Sequence, residues 1–387
     1  MRPLEGITVL DFTQAYSGPY CAMNLADYGA RVIKVERIET GDQSRFWNPY
    51  AANGNSGYFA VYNRNKEGIA VDMSEPEGKE VIKRLYGKVD VVLENFKFGT
   101  LDKLGLGYEE MKKVNPDIIF ASITGFGQTG PLKTNTAYDN VIECMSGFME
   151  MTGFPEYPPL RSGASVADSY TGLTMALAIV LACYDKKRTG KGRRIDVAML
   201  DTMFATIGNA KPREIVPYDT YYCADDFIAV GINDESMWPD FCEAIEMPEL
   251  EKDPRYATND LRCENFESFT ALMRDCFKDK ECAWLMKRFA MYNIPATPIV
   301  DPVDAMTHPQ MLARDMIIEI EDPNVGRFKA FGIPVKFSGT PGYVKKPSPL
   351  LGENSRDVLE EAGYSQEEIE KLITDEIIGA PETAPAE

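Results

Sequence analysis

One aspartate, Asp168, has the surroundings expected of a reactive carboxylate. It lies in the segment Arg-Ser-Gly-Ala-Ser-Val-Ala-Asp-Ser-Tyr-Thr-Gly at residues 161–172, where small residues on both sides leave room for a large ligand. Such a carboxylate could act as a nucleophile. The alternative is that Asp168 caps a helix that begins near Ser169, because Asp is favoured at that position. The local sequence alone favours the cap, and in either role the helix start would favour the ionised carboxylate.

The helix that follows Asp168 is predicted to be buried. Its segment is almost wholly apolar, and apolar side chains recur in it at helical spacing, namely Leu173, Ala176, Leu177, Val180 and Leu181. A basic, glycine-containing turn comes next, and a short strand is expected at residues 195–197. Asp168 would then stand at the head of a core helix.

Histidine restricts the chemistry further, because the chain has only one, His308. A Ser-His-Asp hydrolase, a histidine metal site or a paired histidine acid and base would need that residue in the site. Its context, Asp-Ala-Met-Thr-His-Pro-Gln-Met-Leu, is a helix boundary, which favours a structural role. The eight cysteines form no Cys-x-x-Cys pair, so neither a zinc site nor a dithiol motif is indicated. We therefore expect carboxylate chemistry without a metal.

Charge and hydropathy limit the partners of the protein. The 387 residues include 60 acidic and 41 basic ones, which gives a formal net charge of −19. That charge argues against nucleic acids and anionic membranes as general partners, although a local basic pocket could still hold one small anion. No apolar run approaches the length of a membrane span, and the first residues do not form a signal peptide. We therefore expect a cytoplasmic protein.

The first third of the chain predicts a parallel sheet. A strand at residues 7–13, a helix from about Pro19 to Tyr28 and a strand at 31–37 form a β-α-β unit of about 30 residues. The alternation continues with a helix at 78–86, a strand at 89–94, a helix at 108–114 and a strand at 117–123. This pattern is typical of a doubly wound α/β fold, in which ligands bind at the carboxyl ends of the strands.

Polar residues follow several of these strands. Arg37 ends the second strand and could bind a ribose phosphate through paired hydrogen bonds, or it could be an ordinary surface arginine. Asn95 and Phe96 end the third strand, and the loop after them carries Lys97 and Lys103; it could hold an adenine and phosphates or merely pack on the sheet. The turn after the first strand, at residues 14–19, is not Gly-x-Gly-x-x-Gly. A nicotinamide dehydrogenase therefore loses its main support.

The rest of the chain is predicted to add a smaller domain and a return segment. We expect a large α/β domain at residues 1–205, a linker at 206–220, a small α+β domain at 221–305, a return segment at 306–378 that completes the large domain, and a mobile tail at 379–387. The small domain should contain a two-stranded turn around residues 225–226 and helices at 238–245, 267–277 and 281–291. The return segment should contain a strand at 331–337 and a helix at 365–373.

Taken in order, the motifs resemble those of the class III CoA-transferases, the CaiB/BaiF family. The resemblance covers nearly the whole chain and rests on Val9-Leu10-Asp11-Phe12, residues 25–36 (Leu-Ala-Asp-Tyr-Gly-Ala-Arg-Val-Ile-Lys-Val-Glu), Gly41-Asp42-Gln43-Ser44-Arg45, Glu94-Asn95-Phe96, Gly125-Phe126-Gly127, the Asp168 segment and Thr189-Gly190-Lys191-Gly192. Several ordered motifs at compatible spacing are far more specific than any single one.

This resemblance implies a site and a set of partners. It implies that Asp168 is the nucleophile and that Arg37, Asn95, Phe96 and Lys103 contact CoA, with the backbone around Ala15 and Val71 lining the adenine site. The substrates would be an acyl-CoA and a small carboxylic acid, with no permanently bound cofactor and no metal. The family further implies a homodimer in which the two chains interlock.

Departures from the family pattern leave other functions open. Tyr16 replaces a glutamine that the formyl-CoA:oxalate type carries beside the catalytic acid, and the glycine run that forms its lid is missing near residues 209–222. The related α-methylacyl-CoA racemases place a histidine where this chain has Tyr138. Tyr16 and Tyr138 are therefore expected in the substrate pocket, and racemisation lacks one of its two proton carriers. A CoA-binding protein without transferase activity is a further alternative.

Overall fold

The structure is a computed structural model that describes residues 2–51, 54–153, 157–208 and 214–381. The chain forms two compact units: a large unit, Met1–Gly208 with Arg314–Glu387, and a small unit, Asn209–Ala313. The predicted small domain, residues 221–305, falls inside the small unit, which extends further at both ends. Residues 209–213 of the predicted linker and 382–387 of the predicted tail lie outside the described residues.

The strands are β1 Thr8–Asp11, β2 Arg31–Glu36, β3 Lys66–Val71, β4 Val91–Glu94, β5 Ile119–Thr124, β6 Arg194–Ala198, β7 Tyr218–Tyr222, β8 Phe227–Gly231, β9 Ala296–Pro298, β10 Ile317–Asp322, β11 Gly326–Phe331 and β12 Ile378–Gly379. Within the described residues, the large unit contains a seven-stranded sheet in the order β12-β3-β2-β1-β4-β5-β6. Its neighbouring strands are parallel except for β12, which pairs antiparallel with β3. The order reverses between β1 and β4, which is the feature that creates a ligand crevice in doubly wound sheets.

The sheet is buried on both faces, which explains its nearly continuous apolar strands. Successive side chains of a strand point to opposite faces, so Val91 and Leu93 belong to one core cluster while Val92 belongs to the other. Because helices cover both faces, polar and apolar residues need not alternate along the strands. This central sheet confirms the mixed α/β fold with a large, mostly parallel sheet.

The helices are α1 Ser17–Asp27, α2 Gly57–Tyr62, α3 Pro76–Tyr86, α4 Thr100–Leu104, α5 Tyr108–Val114, α6 Asp139–Ser146, α7 Val166–Thr189, α8 Met199–Ile207, α9 Trp238–Ala244, α10 Asn259–Glu264, α11 Phe266–Phe277, α12 Cys282–Met291, α13 Pro302–Ala305, α14 Pro309–Ala313, α15 Ser355–Glu361 and α16 Gln366–Thr374. The small unit joins helices α9 to α12 to the antiparallel sheet β7-β8-β9. The two-stranded turn predicted around residues 225–226 is confirmed by the β7–β8 pairing, and the third strand was not predicted.

Two predictions for the return segment were wrong. The strand expected at residues 331–337 is instead the hairpin β10–β11, which ends at Phe331. Gly379, expected to begin a mobile tail, belongs to β12 and pairs with Ala70. These elements are short and carry little periodicity of their own, and the partner of β12, strand β3, is distant in sequence.

Helix α7 is less buried than its apolar composition predicts. Its core face consists of Ala167, Thr171, Gly172, Met175, Ile179 and Ala182. Leu173, Leu177, Val180 and Leu181 are instead 44%, 60%, 39% and 58% exposed, so the prediction of burial was wrong for these residues. Helical periodicity fixes which side chains share a face, but it does not say what that face meets.

The length and hydropathy of α7 also match those of a membrane-spanning helix. By length and composition α7 could cross a membrane: it has 24 residues, and an 18-residue window within it has a mean hydropathy of 1.6. The prediction that no apolar run approaches this length was therefore wrong. One such helix is weak evidence for a membrane, because core helices of soluble proteins pass the same test.

Close packing brings α7 against the start of α1. A Cβ atom added to Gly172 would lie 2.6 Å from the backbone oxygen of Ser17, so only glycine permits this approach. Asp168 lies one turn earlier on the same helix. The glycine thus sets the distance between Asp168 and the first residues of α1.

Candidate active site

A cavity opens at the switch point of the central sheet. Residues 14–17, after β1, and residues 95–98, after β4, line a space of about 460 Å³ together with the end of β5 and the start of α7. Volumes of this size are typical of ligand pockets. All of its lining residues belong to the large unit.

Asp168 lies in this cavity, inside the first turn of α7. The helix begins at Val166, and its N-cap residue is Ser165, which makes no side-chain capping bond. The prediction that the helix begins after Asp168 was therefore wrong, and so was the alternative that Asp168 caps it. The carboxylate of Asp168 is therefore not used to cap the helix.

The environment of Asp168 opposes its ionisation. Burial and then the neighbouring carboxylate of Asp139 raise the pKa of Asp168 from 3.8 to about 7, although the hydroxyl and backbone N–H of Ser17 act in the opposite direction by donating hydrogen bonds. The helix start was expected to favour the ionised form, but desolvation and the like charge of Asp139 together raise the pKa. The result is a carboxylate that is more basic than an ordinary aspartate and still ionised at slightly alkaline pH.

Asp139 and Glu143 form an acidic pair behind Asp168. They are four residues apart on α6, and they are 7% and 0% exposed. One carboxylate oxygen of Asp139, Oδ1, accepts the backbone N–H of Asp168 at 3.1 Å. Both oxygens of Glu143 accept hydrogen bonds from Ser162, one from the backbone N–H at 3.0 Å and one from the hydroxyl. The pair therefore ties α6 to the segment that leads into α7.

Polar side chains also hold the turn that faces Asp168. Asn95 accepts the backbone N–H of Gln14 and donates to its backbone oxygen, each at 2.8 Å. The next residue, Ala15, has a φ of 68°, and its N–H donates to Asp42 at 3.1 Å. A left-handed alanine is strained, so these bonds are needed to keep the turn in place.

Aromatic side chains form one wall of the cavity. Tyr16, Tyr58 and Trp47 line it, and the rings of Tyr16 and Tyr58 both pack against Tyr62, at 4.6 and 4.9 Å between centroids. The hydroxyl of Tyr16 is 2.7 Å from that of Ser169, the residue after Asp168. This wall removes water from one side of the carboxylate and fixes the ring of Tyr16.

Cationic side chains complete the lining. Lys97, Lys133 and Arg161 all border the cavity, and the ammonium group of Lys133 lies 4.8 Å from the ring centre of Phe98. Lysine and arginine suit carboxylates and phosphates. The cavity thus offers positive charge to an anionic ligand in a chain that is acidic overall.

The structure brings most of the predicted site residues together. Those that line the cavity are Ala15, Tyr16, Asn95, Phe96, Tyr138 and Asp168. Three others lie outside its lining: Arg37 is exposed after β2, Lys103 is exposed on α4, and Val71 is fully buried in the core at the end of β3. The contacts of these residues with CoA stay predictions.

Sequence reasoning missed the groups that control Asp168. Ser17 donates to its carboxylate, Asp139 accepts its backbone N–H, and Glu143 binds Ser162 in the segment before α7. A signal for the acidic pair was present, because two acids four residues apart on one helix face repel each other and need a reason to be buried. Nothing in the sequence placed Ser17 against α7, since that contact depends on packing through Gly172.

His308 has the structural role that its context predicted. It belongs to the small unit and is exposed, and its Nδ1 accepts the backbone N–H of Gln310 at 3.2 Å at the start of α14. It is not among the residues that line the cavity in the described part of the chain. Within that part, no group of three or more His, Cys, Asp or Glu side chains is placed to hold a metal ion.

Comparison with known proteins agrees with the motifs. A model described as CoA-transferase family III matches residues 4–355. The chain is 36% identical over 400 residues to the succinyl-CoA:glutarate CoA-transferase of Mus musculus, covering 99% of this chain and 92% of that protein. It is 33% identical over 396 residues to the succinyl-CoA–D-citramalate CoA-transferase of Chloroflexus aurantiacus, with coverage of 97% and 98%.

A solved structure gives the same result. The crystal structure of a CaiB/BaiF family protein from Brucella suis matches with a TM-score of 0.81 and 35% identity, covering 93% of this chain and 99% of that one. The resemblance found in the motifs is thereby confirmed over nearly the full length. The chain belongs to CoA-transferase family III and is a CoA-transferase.

Proposed function

We propose that the protein moves CoA from an acyl-CoA donor to a free carboxylic acid through covalent intermediates on Asp168. The observation that carries this proposal is the position of Asp168, a carboxylate of raised pKa in the cavity at the switch point of the sheet. A more basic carboxylate is a better nucleophile. Holding it against a thioester supplies effective molarity worth about 7–11 kcal/mol.

The first half of the reaction places CoA on the enzyme. An oxygen of Asp168 attacks the thioester carbonyl, the C–S bond breaks, and CoA thiolate leaves a mixed anhydride. The thiolate then attacks the aspartyl carbonyl, which releases the donor acid as a carboxylate and leaves an aspartyl-CoA thioester. The donors of Ser17, which already face this carboxylate, are positioned to stabilise the oxyanions that form on it.

The second half reverses these steps with a new acid. The acceptor carboxylate attacks the aspartyl-CoA thioester and expels CoA thiolate, which gives a second mixed anhydride. The thiolate attacks the acceptor carbonyl of that anhydride, so that acceptor-CoA is released and the Asp168 carboxylate returns. No net proton transfer is needed, which agrees with a cavity lining that contains no histidine among the described residues.

Both anhydrides must be kept from water, because they hydrolyse readily. The aromatic wall of Tyr16, Tyr58 and Trp47 serves this purpose on one side of Asp168. Tyr138 lies at the opening and is 64% exposed, so it is placed to contact the substrate as it enters.

CoA itself would lie along the carboxyl edge of the sheet. In this arrangement Phe96 and the backbone of Ala15 contact the part of CoA inside the cavity, while Arg37 and Lys103 take its phosphates outside it. Asn95 contributes chiefly by holding the turn at Gln14, because both ends of its amide are already bonded there.

Dicarboxylic acids are the substrate class that the site supports best. Relatives that cover nearly the whole chain are named for succinyl-CoA with glutarate and with D-citramalate. A second carboxylate needs a cation within the pocket, and the lining offers Lys97, Lys133 and Arg161. We take succinyl-CoA as donor and glutarate as acceptor as the first pair to test.

The exposed stripe of α7 supports self-association. Tyr170, Leu173, Leu177, Leu181 and Tyr184 lie on one side of this helix and are 42–63% exposed. Contiguous apolar patches of this kind mark interaction surfaces. A homodimer that covers α7 is therefore part of the proposal, and sedimentation of the purified protein tests it.

The covalent steps are tested by trapping. The protein is incubated with succinyl-CoA and hydroxylamine, and Asp168 is examined by peptide mass spectrometry. We expect a CoA adduct or a hydroxamate at Asp168, and none in Asp168→Ala. Asp201→Asn is the matched control, since Asp201 lies exposed in the first turn of α8 and should leave the adduct unchanged. Turnover of succinyl-CoA and glutarate without any modification of Asp168 would disprove the mechanism.

A further inference from the structure

One oxygen of Asp139 has no visible partner. Oδ2 of Asp139 is buried, and the described residues provide no hydrogen bond to it, whereas Oδ1 accepts the N–H of Asp168. Asp139 is only 7% exposed. An unpartnered carboxylate oxygen in so buried a residue is unfavourable, because the charge loses its water without gaining a donor.

The group that faces Asp139 is another acid. Glu143 lies one helical turn away and within hydrogen-bonding reach of the Asp139 carboxyl. Both oxygens of Glu143 accept from Ser162. Two ionised carboxylates in contact repel each other, and neither can donate to the other. One proton between them resolves both problems, since it supplies the missing donor and removes one of the two charges.

We propose that Asp139 and Glu143 hold a single proton between them, and that the one negative charge left on this pair makes Asp139 the positioning residue that keeps Asp168 basic enough to attack a thioester. Its Oδ1 fixes the first turn of α7 through the N–H of Asp168, and its charge opposes ionisation of the Asp168 side chain. The inference rests on the proposed function, in which Asp168 is the nucleophile.

The pKa values of Asp139 and Asp168 are both raised. Burial, together with Glu143, raises the pKa of Asp139 to about 6, whereas the backbone N–H groups of Asp168 and Ala167 lower it. Burial and then Asp139 raise the pKa of Asp168 to about 7. The remaining titratable groups around the cavity come from other elements: Tyr16 on the turn before α1, Tyr58 on α2, Tyr138 before α6, and the cations Lys97, Lys133 and Arg161.

The test is the pH dependence of the first chemical step. The rate at which succinyl-CoA modifies Asp168 in a single turnover is measured from pH 5 to 9, and the midpoint of its rise reports the ionisation of Asp168. In Asp139→Asn, which keeps the acceptor for the Asp168 N–H, we expect the midpoint to fall by about one pH unit, because a neighbouring negative charge is lost. The plateau rate should also fall, since a less basic carboxylate is a weaker nucleophile.

A second pair of variants separates charge from structure. In Glu143→Gln, Asp139 carries the whole charge, so the midpoint should stay where it is or rise. Asp139→Glu restores a charge beside Asp168 and should bring the midpoint back towards that of the unmodified chain. Lower plateaus with the same midpoint in both Asp139→Asn and Glu143→Gln would show a purely structural role and overturn the proposal.

The remaining outcomes are also decisive. If Asp139→Asn does not fold, Glu143→Gln still tests the idea, because a midpoint that falls by about one pH unit in that variant would contradict a shared proton. If the unmodified protein forms no adduct on Asp168 at any pH, the proposed function fails. A normal adduct with an unmoved midpoint in Asp139→Asn defeats only this inference.

Discussion

Two groups of buried or half-buried carboxylates flank the start of α1, and in the described part of the chain only one of them is paired with cations. On one side, Lys66 bonds Asp11 and Lys34 bonds Asp42, each at 2.9 Å, and all four side chains are fully buried. On the other side, Asp139, Glu143 and Asp168 meet without a cation bonded to any of them among the described residues. Both groups contact the same turn or helix start, yet the pKa of Asp42 is lowered and the pKa of Asp168 is raised.

The presence or absence of a bonded cation explains why the two pKa values shift in opposite directions. Burial would raise the pKa of Asp42, but the charge of Lys34 and backbone donors outweigh it and hold that pKa below its usual value. Burial raises the pKa of Asp168 to about 7, and the neighbouring charge that adds to this rise belongs to another acid, Asp139. The ion pairs therefore hold residues 13–15 in place. The acids without a cation keep the pKa of Asp168 raised at the position where the chemistry takes place.

The largest expected effect breaks the paired group. Lys34→Met leaves Asp42 buried without its cation, and removal of one partner from a buried pair typically costs about 3–5 kcal/mol. Unfolding in denaturant measures this loss. Lys113→Met is the control, because Lys113 pairs with Glu110 at the surface, where such pairs contribute less than about 1 kcal/mol. Equal losses in the two variants would mean that burial of the pair is unimportant.

Removing a charge from the unpaired group should stabilise the folded protein, whereas removing one from the paired group should destabilise it. Because the pKa of Asp168 in the fold, about 7, lies above its ordinary 3.8, ionisation of Asp168 disfavours the folded state as pH rises through this interval. Asp168→Asn should therefore stabilise the protein at pH 8 by about 2–4 kcal/mol, since one pKa unit corresponds to about 1.4 kcal/mol. Thermal unfolding at pH 8 and pH 4 checks this, and the gain should vanish at pH 4. A variant that is less stable at pH 8 would contradict the raised pKa.

A smaller change tests the contact between α7 and α1. Gly172→Ala places a methyl group 2.6 Å from the backbone oxygen of Ser17, so α7 must shift and carry Asp168 away from the Ser17 donors. We expect the rate of Asp168 modification to fall about 10- to 100-fold, because such displacements have large effects on reactivity. Gly163→Ala is the matched control, since no atom lies within 4 Å of its added Cβ. Equal rates in both variants would show that this packing does not position Asp168.

The smallest expected effect concerns the turn that the two groups share. Asn95→Ala removes both bonds to Gln14 and leaves Ala15 held by Asp42. We expect KM for succinyl-CoA to rise about tenfold with a smaller change in kcat, because the bonds hold a turn that contacts CoA rather than the nucleophile. Steady-state kinetics measure both constants. A loss confined to kcat would place Asn95 in the chemical step instead.

The sequence allowed the central sheet and one edge of the site to be predicted. Strong local patterns made the early strands readable, and parallel strands bring the segments after β1 and β4 to one place. Asn95 and Phe96 could therefore be expected beside the turn after β1, and the resemblance to the CoA-transferases added Asp168; all of them line one cavity. The charge state of Asp168 could not be predicted, because it depends on desolvation and on Asp139, which lies 29 residues away in the chain.

The surface of α7 shows a second limit. Leu173 and Leu177 are as apolar as Ile179 and Met175, but only the latter two meet the core of the large unit. Periodicity cannot separate a face that packs inside one chain from a face left for another surface. The strand β12 escaped prediction for a related reason, because its partner β3 is distant in sequence, whereas the hairpin β10–β11 is local and its strand was predicted too late in the chain.

The strand β12 has a consequence for how the protein is made. It pairs with β3 at the edge of the sheet, yet it lies near the end of the chain, after the whole small unit. During synthesis on the ribosome, β3 therefore emerges more than 300 residues before the strand that covers it, since Val71 pairs with Ile378. An uncovered strand edge is a template for pairing with other chains. The nascent large unit thus passes through a period in which its sheet is open on one side, and stalled or truncated chains would be the aggregation-prone form of this protein.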